Sequence, residues 1–401
     1  MLQVEEIKSL AKKYFPQLVK IRQHLHQYPE LSFQEFETSK YIQSQLKEAG
    51  IPFTTGHVKT GIVAIIQGQN PSSKTILIRG DMDALPIQEN NHMSYQSAHA
   101  GIMHACGHDV HSTCVLGAAF ILNETKHLWN GTIKIMFQPG EEVLPGGSSL
   151  MIKEGVLENP KVDKALALHV HPSMEIGKVG FKQGMYMAST DELYITVNGK
   201  GGHAAMPSNY VNPLLIASEM LLLINQSFMN KESLEGTKGE QVPTVVAFGK
   251  IEGKGATNVI PDKVEMAGTM RTMDEAWRKN IHAHLETLVG FISEKYGITS
   301  NLRIEKGYPV LMNDVDFTKT CTASAKKYLG DTQVEELPLR MTAEDFAFIT
   351  QKVPSCFFRL GTGNQARNLT SEVHTSTFDI DENALEIGAG LLAWLSIQEM
   401  V

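Results

Sequence analysis

The chain has 401 residues, 42% hydrophobic and 20% charged, enough to fill two or three domains and to bury a core without disulfide or metal staples. A formal net charge of −8, with no block of about five or more like charges, argues against nucleic-acid binding. No stretch is long and apolar enough to span a bilayer, and no basic-then-apolar leader opens the sequence. Cys106, Cys114, Cys321 and Cys356 form neither a CxxC pair nor a secreted disulfide framework, so the expected compartment is a reducing cytoplasm.

From Glu5 to Gln27, apolar residues recur at helical spacing, with Pro16 expected to kink the helix or split it in two. Thr38 to Glu48 reads as a second amphipathic helix. Gly61 to Gln67 and Lys74 to Ile78 read as strands about an Asn-Pro-Ser-Ser turn. Thr113 to Asn123 is helical, and Thr132 to Phe137 and Lys164 to Val170 are short apolar strands. This alternation predicts an α/β fold, an α/β/α sandwich on a largely parallel sheet. After Gly184 the texture changes. Strands are expected at Glu192 to Val197, Pro243 to Lys250, Lys263 to Arg271 and Ser300 to Glu305, with helices at Pro213 to Gln226 and Met273 to Tyr296. That β-α-β-β-α-β order is the split pattern of a ferredoxin-like α+β domain. It is placed at residues 189–307, which leaves 1–188 and 308–401 to form one discontinuous domain.

The densest chemistry lies between His104 and His111, which also holds Cys106, His108 and Asp109. Thiolate and imidazole suit zinc and related first-row metals. On an extended loop, Cys106 and His108 would share a face and reach one ion, and Gly107 permits a tight backbone. Glu141 and Glu142 follow the strand Thr132 to Phe137, where α/β sheets carry their sites. Adjacent side chains diverge, so one carboxylate can bind a metal while the other holds a water proton. Asp81 and Asp83 follow another strand and can bind a metal or orient a ligating histidine. His169, with His171 as its competitor, and His374 gain meaning because the first two clusters leave a metal site short of ligands. In the second domain, His203 sits on a Gly-rich loop, Asn258 in a turn and Arg271 at a strand end. A guanidinium there suits a substrate carboxylate; the bland alternative is a surface salt bridge.

Taken in order, these motifs resemble the M20 metallopeptidase family. They include Ile21 to Ser32, Asp81-Met82-Asp83-Ala84-Leu85-Pro86, His104 to His111, Phe137 to Glu142, Gly199 to Pro207, Asn258-Val259-Ile260-Pro261, Glu344-Asp345-Phe346, and His374 with Phe378. The resemblance is to the amidohydrolase branch, with aminoacylases, hippurate hydrolases, auxin-conjugate hydrolases and N-acetyl-diaminopimelate deacetylases. It implies metal-dependent hydrolysis of N-acyl amino acids or related small amides, with one or two divalent ions (Zn, Mn, Co or Ni). It implies Cys106, His108, Glu142, His169 and His374 as metal ligands, Glu141 as general base and Asp83 as the orienting aspartate. His203 matches a histidine of a lid domain that polarises the scissile carbonyl, from its own chain or a dimer partner. Asn258 and Arg271 match substrate-carboxylate contacts, and the inserted domain implies a lid and a homodimer surface. Asp81 stands where peptidase branches carry a ligating histidine. The chain departs from the family pattern at Gly140, where Ala is usual, and at Ser208, Asn212-Pro213 and Thr342. A dipeptidase or carboxypeptidase of the same family and a non-catalytic binding homologue are the alternatives. Cys106 and Asp81 argue against the first, and the intact Glu141-Glu142 pair against the second.

Overall fold

The computed structural model describes residues 3–228, 233–235 and 241–400. It forms two compact units, Met1–Gly184 with Met312–Pro338 and Asp345–Val401, and Met185–Leu311 with Leu339–Glu344. The short return segment in the second unit has no counterpart in the sequence reading.

In chain order the first unit opens with helices α1 (Val4–Gln27) and α2 (Phe36–Glu48), then strands β1 (Phe53–His57), β2 (Gly61–Gln67) and β3 (Thr75–Asp81). Helix α3 (His108–Glu124), strand β4 (Thr132–Gln138), helix α4 (Gly147–Lys153) and strands β5 (Lys164–Glu175) and β6 (Val179–Phe181) follow. Pro16 neither breaks nor divides α1. Ile7, Ala11, Leu18, Ile21 and Leu25 bury one continuous face of that helix, and their packing outweighs the lost backbone hydrogen bond.

The sheet runs β1-β2-β4-β3-β5, then strand Ser355–Gly363, β6 and Val334–Glu336. It is parallel only where crossovers make it so. Helix α3 connects β3 to β4, α4 connects β4 to β5, and these strands pair in parallel with each other and with Ser355–Gly363. β1 and β2 form a hairpin, β2 runs antiparallel to β4, and β6 runs antiparallel to Ser355–Gly363. The expectation of a largely parallel sheet therefore holds for its centre and for the edge pair of β6 with Val334–Glu336, and fails at β1, β2 and the junction of β6 with Ser355–Gly363. The edge strand β1 escaped the sequence reading because three of its five residues are exposed and it lacks an apolar alternation.

Helix α3 is apolar on every side and is buried accordingly, with Val110, Cys114, Val115, Ala118, Ala119 and Leu122 all inaccessible. It packs on β3 and against α1 and helix Ala384–Gln398. The helices close on each other at residues without a Cβ. An added Cβ at Gly117 would lie 2.6 Å from Ala389 Cβ and 2.8 Å from Leu18 Cδ1, and one at Gly388 would lie 2.5 Å from Cys114 Sγ.

The second unit is an antiparallel sheet. Strands Gln241–Glu252, Lys263–Thr272, Asp191–Asn198 and Thr299–Lys306 lie side by side in that order, with Ser233–Glu235 added at the Gln241–Glu252 edge. Leu193, Ile195 and Val197 alternate into the core, where they meet Ile216, Met220 and Ile224 of helix Pro213–Phe228 and Ile281, Leu285, Val289 and Ile292 of helix Glu275–Tyr296. Asp274 caps the latter helix through a 2.6 Å bond from the Trp277 amide, and Gly297 ends it at φ 62°. No helix among the described residues is long and apolar enough to cross a membrane.

Gly117→Val overfills the three-helix contact. It should lower stability by about 1–3 kcal/mol, read as a lower urea midpoint at unchanged slope.

Candidate metal centre

The parallel strands deliver their chemistry at their carboxyl ends, as open α/β sheets do. β3 closes at Asp81 and leads to Asp83. β4 closes at Gln138, beside Asp81 in register, and turns through Gly140 to Glu141 and Glu142. β5 carries His169, paired with Arg359 of the neighbouring strand.

Cys106 and His108 do not sit on one extended loop, as the sequence reading had them. Gly107 turns into the left-handed region at φ 85°, and His108 is the first residue of α3. That turn needs glycine twice over, because a Cβ there would lie 2.6 Å from Val170 Cγ2. His374 approaches from a late loop at φ 63°, a left-handed conformation that costs a non-glycine residue energy. Its amide donates to Ala105 O at 2.7 Å. The rest of its loop is tied down by Asn90 N–H to Ser376 O (2.8 Å) and by Arg22 Nη2 to Asp379 Oδ1 (2.8 Å).

These segments bring together all five residues expected to bind metal. Cys106 Sγ lies 3.5 Å from His169 Nε2 and 3.3 Å from His374 Nε2. Glu142 Oε1 is 3.3 Å from His374 Nε2 and 3.8 Å from His108 Nε2. Two triads share the thiol: Cys106 with His108 and His169, and Cys106 with Glu142 and His374, with ligand atoms within 4.8 Å of one another in each. Glu141 borders the cluster, its Oε2 3.9 Å from His108 Nε2. Its Oε1 accepts from the Asp345 amide at 3.3 Å. His171, the competitor of His169, takes part in neither triad.

The cluster is built to hold a cation. His108 Nε2 is buried without a hydrogen-bond partner, a costly state for that atom unless it binds a ligand. Both buried imidazoles are oriented from behind. His108 Nδ1–H donates to Asp83 O at 2.8 Å, and His169 Nδ1–H to Val170 O at 2.9 Å, which leaves each Nε2 lone pair for a metal. A thiol, three imidazoles and a carboxylate form a donor set for zinc and its first-row neighbours.

Asp83 is the anchor behind the ligands. It accepts from Ser32 Oγ at 2.6 Å, from the Glu141 and Glu142 amides at 3.0 Å each, and from His108 Nδ1 at 3.2 Å. Burial opposes its charge, but the bonds from His108 and Ser32 hold it below the ordinary carboxylate range. Ser32 stood within a quoted motif, but no role was read into it.

Asp81 has a different task. Its carboxylate takes Arg79 Nη1 and the Nδ1–H of His111 at 2.7 Å. The other nitrogen of His111 accepts the Val170 amide at 3.0 Å. His111 therefore spends both ring nitrogens on structure, which sets it apart from His108 and His169, each of which keeps its Nε2 turned to the cluster. Arg79 also binds Gln138 Oε1 at 2.8 Å and Asp345 Oδ1 at 2.7 Å. A buried charge lattice thus lies beneath the centre, and sequence spacing gave no sign of it.

The protonation tendencies report an excess of negative charge. Burial works against a charge on His108, yet Asp81 and Cys106 push its pKa well above the usual imidazole range. Hydrogen bonding to Cys106 and Glu142 pushes His374 up to about 10. Burial, then Glu142, raises the Cys106 thiol. Burial and Arg359 hold His169 well below the usual range, so it is neutral.

The remaining expected residues lie in the second unit. His203 pairs across a two-stranded ladder with Val259, beside Asn258, whose carbonyl accepts the Ala204 amide at 3.0 Å. His203 Nδ1 accepts the Ala205 amide at 3.1 Å, so its Nε2 carries the proton. Arg271 is half-buried and, among the described residues, has no ion-pair partner; burial lowers its pKa. Among the described residues no carboxylate forms the surface salt bridge that was the alternative reading of Arg271.

A thiol-imidazole-carboxylate cluster at the ends of parallel strands, with one further carboxylate at its border, is the apparatus of a metal-dependent hydrolase. The model of Peptidase family M20/M25/M40 matches residues 77–397. N-acetyl-L-cysteine deacetylase of Bacillus subtilis is 37% identical, over 92% of this chain and 85% of its own. Thermostable carboxypeptidase 1 of Saccharolobus solfataricus is 34% identical over 98% of each chain. The crystal structure of the YxeP protein of Bacillus subtilis, a dinuclear metal binding peptidase from the M20 family, matches with a TM-score of 0.84 at 32% identity, over 97% of this chain and 99% of that one. The chain belongs to peptidase family M20/M25/M40, and it is a metal-dependent hydrolase.

Asp83→Ala should weaken metal binding about 10–100-fold while leaving the five ligands in place, measured by competition with a chromogenic chelator. Metal must also displace protons from Cys106, His108 and His374, so affinity should rise with pH. Calorimetry in buffers of different ionisation enthalpy should find about three protons released per site filled; affinity that stays flat between about pH 6 and 8 would contradict the ligand set.

Proposed function

We propose that the chain hydrolyses the amide bond of N-acyl amino acids or closely related small amides, in the manner of an aminoacylase or deacetylase. The observation that carries this reading is the buried five-residue cluster bordered by Glu141, in a chain whose relatives include a deacetylase. Cys106, His108, Glu142, His169 and His374 would hold one or two divalent ions, with Zn, Mn, Co and Ni all compatible with these donors. Such an ion, when bound, acidifies water and polarises a carbonyl.

Glu141 takes the proton of the attacking water and returns it to the departing nitrogen as the carbon–nitrogen bond breaks. Its Oε1 contact with the Asp345 amide holds the carboxylate in place at the edge of the cluster. Asp83 fixes the tautomer of His108 and the backbone of both glutamates. His203 offers an Nε2–H suited to an oxyanion. Asn258 and Arg271 receive the substrate carboxylate, a role that fits a half-buried guanidinium with no ion-pair partner among the described residues.

The second unit serves as a ferredoxin-like lid and as the surface of a homodimer. Exposed Leu215, Leu222 and Ile251 on that unit support a second copy as its partner. Four buried free cysteines suit a cytoplasmic location.

A carboxypeptidase is the second reading, favoured by the Saccharolobus relative. A panel of N-acetyl, N-benzoyl and N-indoleacetyl amino acids beside dipeptides and N-blocked dipeptides separates the two. Faster cleavage of the acyl amino acids is expected; preference for peptide substrates would overturn the assignment. Glu141→Gln should cut kcat by about 10²–10⁴-fold with metal content unchanged, measured by steady-state kinetics alongside elemental analysis.

A further inference from the structure

Glu35 was not singled out from the sequence, yet its carboxylate is fully buried. Its Oε1 accepts the Phe33 amide at 2.8 Å and the Gly140 amide at 2.8 Å, and its Oε2 accepts the Thr60 hydroxyl at 2.7 Å. The next two amides of the same turn, those of Glu141 and Glu142, donate to the two oxygens of Asp83 at 3.0 Å each. Three consecutive backbone N–H groups therefore end on two buried carboxylates from different parts of the chain.

The turn needs this restraint. Gly140 is left-handed at φ 59°, and the Phe33 ring lies over it, so close that an added Cβ would sit 2.4 Å from Phe33 Cζ. Glycine at this position, instead of the alanine usual in the family, is thus matched by the ring packed on it. Phe33 is itself left-handed at φ 62°, and Glu35 holds its amide as well as that of Gly140.

We propose that Glu35 is a positioning residue: by accepting the Gly140 and Phe33 amides, it sets the directions in which Glu141 and Glu142 leave the turn. The proposal rests on the reading of Glu142 as a metal ligand and Glu141 as the base. Burial, and then Asp83, push the Glu35 carboxyl up to about 7. Both amides end on the same oxygen, Oε1, so the position of that oxygen governs the turn.

Two substitutions separate position from charge. Glu35→Gln keeps an oxygen at the same reach and loses the charge; its amide nitrogen can donate to Thr60, whose hydroxyl rotates to accept. Glu35→Asp keeps the charge and withdraws the oxygen by one methylene. Metal-free protein is titrated with Co²⁺, and the thiolate charge-transfer and d–d absorption are followed, a readout independent of any substrate; kcat and KM are then measured on the best N-acyl amino acid. The expected result is that Glu35→Gln matches the parent within about twofold, whereas Glu35→Asp binds Co²⁺ roughly 10–100-fold more weakly with altered bands and loses kcat more than KM.

Gly117→Val, destabilised away from the centre, controls for general loss of structure and should keep the parent spectrum. The proposal is overturned if Glu35→Asp keeps the parent affinity and bands, if Glu35→Gln is the impaired variant, or if Gly117→Val loses Co²⁺ affinity to the same degree as Glu35→Asp. If the parent cleaves no acyl amino acid while the Co²⁺ pattern holds, the substrate assignment falls and the role of Glu35 stands.

Discussion

Asp83 is a carboxylate sealed from water that collects hydrogen bonds from a serine hydroxyl, two adjacent backbone amides and an imidazole, from three different segments. Those four bonds fasten the end of β3 to the turn after β4 and to the first residue of α3. Without an acceptor there, two amides would be buried unpaired and His108 would lose the partner that fixes its tautomer. The geometry of Glu141, Glu142 and His108 all passes through this one side chain. A buried charge is tolerated at that point because its donors compensate the lost hydration.

The second constraint is electrostatic. Cys106, Glu141, Glu142, Asp81 and Asp83 crowd a small buried volume, and Arg79 answers only part of their charge. The rest is met by protons on His108 and His374 or by a metal. A site of this kind is matched to a divalent cation, because removing every positive charge leaves several carboxylates facing each other at low dielectric. The lattice of Arg79, Asp81, His111 and Asp345 holds the loops in place, with Arg79 bonded to both carboxylates and His111 bridging Asp81 to the Val170 amide.

The backbone stores strain where the ligands converge. His374 and Phe33 are left-handed without being glycine, and Gly107 and Gly140 are left-handed where a side chain would collide. Such conformations persist only where the surroundings over-determine them. Here the restraints are explicit: Ala105 holds the His374 amide, Asn90 and Arg22 hold its loop, and Glu35 holds the turns at Phe33 and Gly140. The close helix contacts at Gly117 and Gly388, by contrast, pack α3 into the core away from these turns.

Much of this was legible in the residues themselves. Strand ends followed by Asp or Glu pairs, the Cys-Gly-His run and two isolated histidines marked the segments that meet in the cluster, because strand periodicity predicts where side chains emerge and metal donors belong to a short chemical list; the choice of His169 over His171, and of Glu142 as ligand beside Glu141 as base, came from the family resemblance. The order of elements in the second unit was legible for the same reason: its strands alternate and its helices repeat every three to four residues. The helical start at His108, the hairpin margins of the sheet, the pairing of Asp81 with Arg79 and His111, and the parts played by Ser32 and Glu35 were not legible. The bonds of Asp81 to His111, of Arg79 to Asp345 and of Glu35 to Gly140 depend on which atoms from remote segments meet in the folded chain, and local propensity carries no record of a partner some thirty to more than two hundred residues away. Sequence determined which chemistry was available; only the tertiary structure decided which donor faces which acceptor, because a hydrogen bond depends on distance and angle and not on residue type.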